Sequence, residues 1–378
     1  MDSMDDRLDS SAAALEQWGT RRNRMLDTYF RGALRERYEQ LRAAAALDTS
    51  SFDRYQAAAD ALRRRLIDEG LGGWPARPAT ISARETQIGE LESGNLYRVH
   101  VEVLPEVEMM ALLLVPHAAA TRAAPAVICQ HGYGGSPEWA MGFGTPGMSN
   151  YMNGCGHRLA AAGYVVLAPH IVCSPPGVGE DRVRLDRLAR MSNRSLLGFE
   201  MFELSRMIDY LQTRAEVLPE RIGMYGISQG GMSTLFVAAC DSRIRAAVCS
   251  CYFNDRWRKL FEPEHLRRRG EEEGLDYGAY LSSTEDDKFS PWAAPLWPDS
   301  VLASLICPRP FMAEVGRYDS VIDWRDATAE FDRVRQIYGQ LGVAEHAEIS
   351  LAEWGGHEMF YDGPKRFLDR WLKADLDG

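Results

Sequence analysis

The chain has no excess of positive charge and no long apolar run. It contains 43 lysines and arginines against 54 aspartates and glutamates, which gives a formal net charge of -11 at pH 7. Without a basic excess it cannot replace the counterions of a phosphate backbone, so a nucleic-acid partner is not expected. The acidic residues 1–6 and the lack of a run of spanning length predict neither a secretory signal nor a membrane anchor. We therefore expect a cytoplasmic protein.

Cysteine is also scarce, with seven residues, an odd number. Cys129 and Cys249 lie inside apolar, strand-like runs, which favours reduced, buried thiols over disulfides. Cys249 and Cys251 are too closely spaced for a structural zinc pair without further ligands. The chain also lacks the phosphate-loop pattern and a dinucleotide-binding G-x-G-x-x-G after its first strand. We predict no metal and no cofactor.

Hydrophobic residues, in contrast, make up 46% of the chain, enough for a large core and one accessory region. Residues 1–75 are predicted to form a helical appendage. Its first helix has one apolar face, formed by Leu15, Trp18, Met25, Tyr29, Leu34, Tyr38 and Leu41. A second helix follows Ser50 or Ser51 and ends at 70–75, where glycines and a proline stop it. We expect this appendage to pack structurally, to join copies of the chain in a homo-oligomer, or to help cover a substrate.

Residues 76–378 are predicted to form the main domain, because short apolar strands alternate with helices after residue 80. The first two strands form a hairpin and most of the later ones are separated by helices. The eight predicted strands are 96–103, 109–115, 126–129, 165–168, 222–225, 246–250, 311–315 and 347–351. This order predicts an α/β fold with a mainly parallel eight-stranded sheet, helices on both faces and ligands at the carboxyl ends of the strands.

A G-x-S-x-G pattern at 226–230 lies at one of those ends. The residues before it form a short strand, and those after it suit a buried helix. A turn this sharp strains the serine backbone and brings strand and helix together, which requires glycine on both sides. Ser228 is therefore the predicted nucleophile.

A serine needs a base, and the base needs a carboxylate that fixes its tautomer. His357 follows the last predicted strand and stands after two glycines, and the other seven histidines are worse placed. Asp319 follows the strand before it, which produces the order Ser, Asp, His along the chain. Glu314 and Asp323 are the competing carboxylates.

Two backbone amides are predicted to stabilise a developing oxyanion. One belongs to Gln229, directly after the nucleophile, and the other to the glycine-rich loop at 130–135, where Tyr133 is the first choice.

With these parts placed, residues 85–375 resemble an α/β-hydrolase of the dienelactone hydrolase and acetyl xylan esterase type. Gly-x-Ser-Gln-Gly-Gly at 226–231, His-Gly-Tyr at 131–133 and His-Glu at 357–358 resemble the acetyl xylan esterase and cephalosporin deacetylase family. That resemblance implies a triad and an oxyanion hole formed by Ser228, Asp319, His357 and the amides of Tyr133 and Gln229. The deacetylases carry Arg-Gly-Gln after the fourth strand, whereas 168–177 here reads APHIVCSPPG, so the resemblance does not extend to specificity for sugar acetates.

The long connection at 252–305 is predicted to form a lid or a pocket wall. Its aromatic residues and one tryptophan from the facing segment are candidates for the substrate pocket: Tyr252, Trp257, Trp292, Trp297 and Trp139. Packing of the insertion against the body would explain the same aromatics.

The predicted activity is hydrolysis of a small-molecule carboxylic ester through an acyl-enzyme on Ser228. Thioester hydrolysis, acyl transfer and carbon-carbon bond hydrolysis are alternatives on the same fold, and a non-catalytic scaffold is an alternative of another kind.

Overall fold

The computed structural model describes residues 12–144, 150–172, 179–275 and 298–374, and within them it contains one nine-stranded sheet. The strands are β1 (Ser82–Leu91), β2 (Gly94–Leu104), β3 (Val107–Pro116), β4 (Ala124–Gln130), β5 (Val165–Pro169), β6 (Val217–Ile227), β7 (Ile244–Ser250), β8 (Phe311–Gly316) and β9 (Ala347–Ala352). Their spatial order is β1-β2-β3-β5-β4-β6-β7-β8-β9. The first three neighbouring pairs in this order, β1-β2, β2-β3 and β3-β5, are antiparallel. The remaining five pairs, from β5-β4 to β8-β9, are parallel.

The predicted α/β fold with a mostly parallel sheet is confirmed, but the prediction of eight strands was wrong. The missed strand is β1, which pairs only with β2 at the edge of the sheet. Its sequence is largely polar and its side chains are mostly exposed. A strand without a buried face shows no alternation of apolar residues, so its pattern carries no signal.

Helices cover both faces of this sheet. They are α1 (Ala12–Ala44), α2 (Phe52–Arg65), α3 (Pro137–Ala140), α4 (Cys155–Ala161), α5 (Gly179–Met191), α6 (Leu196–Thr213), α7 (Gln229–Cys240), α8 (Arg256–Phe261), α9 (Pro263–Glu273), α10 (Asp299–Ser304), α11 (Trp324–Gln340) and α12 (Asp362–Leu372). Short 3-10 helices at His117–Ala120 and Ala344–His346 and a π-helical turn at Leu66–Gly70 complete them. None of the helices in the described ranges is both long and apolar enough to cross a membrane.

Alternate residues of each central strand point to opposite faces, where they enter two separate cores. Ile128 of β4 packs in the core under α2, α6, α7, α10 and α11, while its neighbour Val127 packs in the core under α3, α4 and α12. Both faces of the central parallel strands are therefore buried, because helices cover the sheet on both sides.

The helices at the start of the chain pack onto the first of these cores through the last turns of α1 and one face of α2. Tyr38 and Leu41 of α1 and Tyr55 of α2 are buried. The Tyr55 hydroxyl donates to the carbonyl oxygens of Ser304 and Cys307, at 2.6 Å each. Leu41 and Tyr55 share a core with the sheet. The division at residue 75 into an appendage and a main domain stays a prediction.

Candidate active site

Ser228 stands between the end of β6 and the first turn of α7. Its backbone has φ 56° and ψ -119°, a region that costs a residue other than glycine about 1–3 kcal/mol. Its N–H donates to the Ser250 carbonyl at the end of β7, at 2.9 Å, which holds the turn in place. The residue is half-buried, whereas its neighbours in β6 and α7 are buried. The strained turn therefore presents this serine at the surface of a rigid core.

The glycines around Ser228 are required by contact distances. A Cβ on Gly226 would lie 2.3 Å from the Gly230 carbonyl oxygen, and one on Gly230 would lie 2.3 Å from the Gln130 carbonyl oxygen. Both distances are too short for any side chain, so the pattern follows from the packing of β4, β6 and α7.

His357 lies against Asp319. Its Nδ1 is 3.0 Å from Oδ1 and 2.9 Å from Oδ2 of that carboxylate. Asp319 is fully buried and also accepts from the backbone amides of Val321 and Ile322, at 2.7 and 3.1 Å. With a proton on Nδ1 facing the carboxylate, Nε2 is the ring nitrogen that can accept a proton.

The backbone of two loops brings this pair together. After β8, the Arg317 and Tyr318 amides donate to the Ala352 and Gly355 carbonyls beyond β9, at 3.0 and 2.8 Å. Because β8 and β9 are adjacent parallel strands, both loops leave the same edge of the sheet. Lys259 of α8, which is buried, donates to the Val321 carbonyl and so ties the loop of Asp319 to the insertion.

The structure places the competing carboxylates in other contacts. Glu314 lies inside β8, is fully buried, and accepts from the Tyr225 hydroxyl at 2.8 Å. Burial raises the pKa of Glu314 to about 7. Asp323 caps α11 by accepting from the Arg325 amide at 2.8 Å, and it forms an ion pair with Arg269.

The predicted oxyanion loop lies beside Ser228. A Cβ on Gly132 would lie 3.0 Å from the Ser228 Cβ and 3.0 Å from the Ile227 carbonyl oxygen, so backbone packs directly on the elbow there. Tyr133 is the next residue of that loop, and Gln229 is the first residue of α7. The structure thus brings both predicted donors to the two sides of the serine, and their role as donors stays a prediction.

His131 holds this loop from inside the protein. It is fully buried, and its Nδ1 donates to the Gly132 carbonyl at 2.8 Å while its Nε2 accepts from the Ile171 amide at 3.4 Å. Burial lowers the pKa of His131 to about 4, so the ring is neutral near pH 7. The histidine therefore connects the oxyanion loop with the segment after β5.

A buried ion pair near Ser228, the predicted nucleophile, was missed from the sequence. Arg182 of α5 and Glu200 of α6 are each about 1% exposed and form two hydrogen bonds, at 2.5 and 2.8 Å. With the Gln229 amide turned so that its oxygen faces the guanidinium, that oxygen accepts from Arg182 at 3.1 and 3.2 Å. Burial and the charge of Glu200 raise the pKa of Glu203 to about 8, so this neighbour is neutral near pH 7.

Cys251 is a second unpredicted neighbour of the site. Its Sγ, a carboxylate oxygen of Asp319 and a ring nitrogen of His357 lie within 4.8 Å of one another, a distance at which such groups can hold a metal ion. Burial raises the pKa of the Cys251 thiol far above its ordinary value. A neutral thiol is a poor ligand, and Asp319 and His357 already bond to each other, so the cluster suits a metal badly.

The predicted pocket aromatics mostly have packing contacts. Trp139 is buried edge-on to Tyr151, with ring centroids 5.4 Å apart, and Tyr252 is buried in the core. Trp257 faces Tyr38 of α1 at 6.0 Å. Trp292 and Trp297 lie outside the described residues. Their role as pocket residues stays a prediction.

The strand order, the central elbow and the two helical layers define an α/β-hydrolase fold. Residues 114–264 match the family described as the dienelactone hydrolase family. Within that segment the chain is similar to the dienelactone hydrolase family, and the predicted hydrolase class is confirmed.

Individual relatives extend this likeness over most of the chain. The Bacillus subtilis (strain 168) protein named "Putative hydrolase YtaP" is 26% identical over 324 residues, which cover 82% of this chain and 99% of that protein. A crystal structure described as a putative acetyl xylan esterase from Bacteroides fragilis NCTC 9343 has a TM-score of 0.63 at 16% identity, over 82% of this chain and 78% of that chain. A glucuronoyl esterase from Solibacter usitatus has a TM-score of 0.62 at 14% identity, over 86% and 94% of the two chains. At these identities the solved structures establish the fold.

Proposed function

We propose that this protein is a serine hydrolase that cleaves small-molecule carboxylic esters through an acyl-enzyme on Ser228. The observation that carries the proposal is the contact of His357 Nδ1 with the buried Asp319 carboxylate, at 2.9 Å, in a loop beyond the last strand. On this fold a histidine and a carboxylate in this position activate a serine at the turn between a strand and a helix. Ser228 lies at such a turn and has the strained backbone that the turn requires.

In the proposed reaction, His357 Nε2 takes the hydroxyl proton while the Ser228 oxygen bonds to the ester carbonyl carbon. Asp319 stabilises the imidazolium that forms. The carbonyl oxygen becomes an oxyanion, which the amides of Tyr133 and Gln229 are placed to meet. The ester bond then breaks, and the leaving alcohol takes the proton from His357. Water, deprotonated by the same base, releases the acid and restores the serine.

Arg182 is proposed as a positioning residue in this mechanism. Its contact with the Gln229 side chain fixes the residue whose amide is assigned to the oxyanion. A guanidinium held by Glu200 is rigid, and preorganised donors are worth more than mobile ones because no reorganisation accompanies the reaction.

The names of the structural relatives support ester hydrolysis without naming the substrate. One is described as an acetyl xylan esterase and another as a glucuronoyl esterase. Both names describe esterases, so we assign hydrolysis of an ester bond to this chain.

Turnover of p-nitrophenyl acetate by wild type, Ser228→Ala and Ser192→Ala tests the proposal. Ser192 is an exposed serine, so its alanine variant should keep the wild-type rate, whereas Ser228→Ala should lose turnover because the nucleophile is gone. A fluorophosphonate probe should label Ser228, as read by peptide mass spectrometry. Equal rates in wild type and Ser228→Ala, or labelling of another serine in place of Ser228, would contradict the assignment.

A further inference from the structure

The first half of α1 carries a row of large apolar side chains that contact no other part of the described chain closely enough to be buried. Four of them are between 59% and 67% exposed: Leu15, Trp18, Met25 and Tyr29. Leu26 and Phe30 lie beside this row and are also exposed. Single exposed apolar residues are common, but a contiguous patch marks an interaction surface. We call these six residues the α1 stripe.

The α1 stripe is not a continuation of the face by which α1 packs on the protein. That face is formed by Tyr38, Leu41 and the following Ala45, all buried. At about 100° of rotation per residue, Tyr38 points about 180° away from Tyr29. The row of Leu15, Trp18, Met25 and Tyr29 therefore points away from the body that the second half of the helix contacts, and Phe30 lies at the border of the two faces.

Polar contacts prevent α1 from rotating to bury the stripe. Arg35 pairs with Glu262 at 2.7 Å, and the Tyr38 hydroxyl donates to Asp255 at 2.6 Å. Arg42 pairs with the buried Glu330 of α11 at 2.6 Å. These contacts hold the second half of α1 against α8, α9 and α11, so the described part of the chain leaves the stripe uncovered.

We propose that the α1 stripe is the interface of a homodimer, in which α1 of a second copy packs antiparallel against it. At roughly 200 Å² for each side chain, the exposed fractions of the six residues amount to about 700 Å² per chain. Stable interfaces of standard size bury about 800 Å² per partner. The stripe supplies most of that area.

The spacing along the stripe is self-complementary. Leu15, Trp18, Arg22, Met25, Tyr29 and Gly32 follow one another at intervals of three and four residues, the pattern of a helix-pairing seam. In an antiparallel pair centred between residues 23 and 24, Leu15 faces Gly32 and Trp18 faces Tyr29. A large residue thus faces the smallest one, and the two aromatics face each other.

Gly32 itself supports close approach of another helix. Glycine inside a helix is destabilising relative to alanine, so it needs a reason. Within the described part of the chain, a Cβ at this position would meet nothing within 4 Å. The side chain is therefore not excluded by the chain's own packing, and a partner helix explains the residue.

Sedimentation velocity of the full chain over a range of concentrations tests the dimer. Trp18→Glu with Tyr29→Glu should raise the dissociation constant at least about thirtyfold, because these two positions face each other and like charges would replace each aromatic contact. Gln17→Glu with Thr20→Glu adds the same charge to exposed positions on the side of the helix away from the stripe and should leave the constant unchanged. Circular dichroism and esterase turnover show whether each variant is folded.

Cysteine cross-linking tests the antiparallel register. Leu15→Cys with Gly32→Cys should form an intermolecular disulfide on oxidation, while Leu15→Cys alone should not, because position 15 of one copy would be about 25 Å from position 15 of the other. Cross-linking by the single variant would overturn the antiparallel arrangement. A wild-type chain that is monomeric at every concentration would overturn the dimer. Flotation of a monomeric wild type with anionic vesicles, lost in Trp18→Glu with Tyr29→Glu, would assign the stripe to a lipid surface.

Discussion

The two sides of Ser228 are held in place by different means. On the side of the acid and the base, backbone hydrogen bonds join the loops after β8 and β9, and these strands are neighbours in the sheet. On the oxyanion side, buried side chains do this work: His131 holds the loop after β4, and Arg182 with Glu200 holds Gln229. Strand order alone therefore places the acid beside the base, whereas the oxyanion side depends on charged and polar side chains from distant segments.

The largest effect is expected at the acid. Asp319→Asn should lower kcat by about three to four orders of magnitude, because an amide cannot fix the His357 tautomer or stabilise the imidazolium. Asp323→Asn, the same change four residues later, should leave kcat near wild type and cost about 1.5–3 kcal/mol of stability, because it removes the charge that pairs with Arg269, while the asparagine still caps the helix. Steady-state kinetics with thermal unfolding measures both. A similar loss of kcat in the two variants would remove the distinction between these carboxylates.

The second effect tests the oxyanion side. Arg182→Met should lower the free energy of unfolding by about 3–5 kcal/mol, because it leaves Glu200 buried without a partner. Arg182→Met with Glu200→Leu should recover much of this loss, since neither charge of this ion pair is then left buried alone. The kcat of both variants should be lower than that of the wild type, because the Gln229 side chain has lost its hydrogen bonds from Arg182. Denaturant unfolding measures the recovery of stability, and steady-state kinetics measures kcat.

An exposed pair is the control for that experiment. Arg335 and Asp332 are about half exposed, so Arg335→Met should cost less than about 1 kcal/mol. Equal costs at the two pairs, or full recovery of kcat in the double variant, would mean that the buried pair has no special part in positioning.

The smallest effect concerns pH and the acid-base side. Burial raises the pKa of Glu314 to about 7, above its ordinary 4.5, so the folded chain holds more protons than the unfolded chain between these values. The contribution of Glu314 to the free energy of unfolding is therefore full below about pH 4.5 and falls by about 3 kcal/mol as pH rises through 7. Glu314→Gln should remove this fall. Urea unfolding at pH 5 and pH 8 measures it.

Glu220→Gln, at an exposed position of β6, is the matched control and should change stability equally at both pH values. If Glu314→Gln and wild type lose the same stability between pH 5 and pH 8, the carboxyl of Glu314 does not titrate as its burial implies.

The local sequence pattern was enough to predict those structural elements that are indicated by a few neighbouring residues. The eight predicted strands were found because each has a buried, apolar run, and β1 was missed because an exposed edge strand has none. The glycines of the elbow were predicted from a turn that admits no side chain, and their contact distances agree. The prediction that Asp319 and His357 lie together needed only the order of two adjacent strands.

Chain order could not show which distant side chains share a buried space. Three carboxylates lie within ten residues of one another, and only their tertiary contacts distinguish them. Glu314 is buried and bonded to a tyrosine, Asp319 contacts His357, and Asp323 caps a helix. Arg182 and Glu200 carry no motif, since an arginine in a helix is most often solvated. Cys251 adjoins the acid and base only because β7 ends beside β8.

The sequence by itself determined the class of fold, the elbow and the pairing of acid with base, because backbone sterics and strand order act locally or between neighbours. Only the tertiary structure decided how the oxyanion side is supported and where α1 leaves an apolar surface uncovered. The physical reason is that burial belongs to the whole chain: the same apolar spacing that buries Tyr38 leaves Tyr29 exposed, nine residues away on the opposite side of one helix.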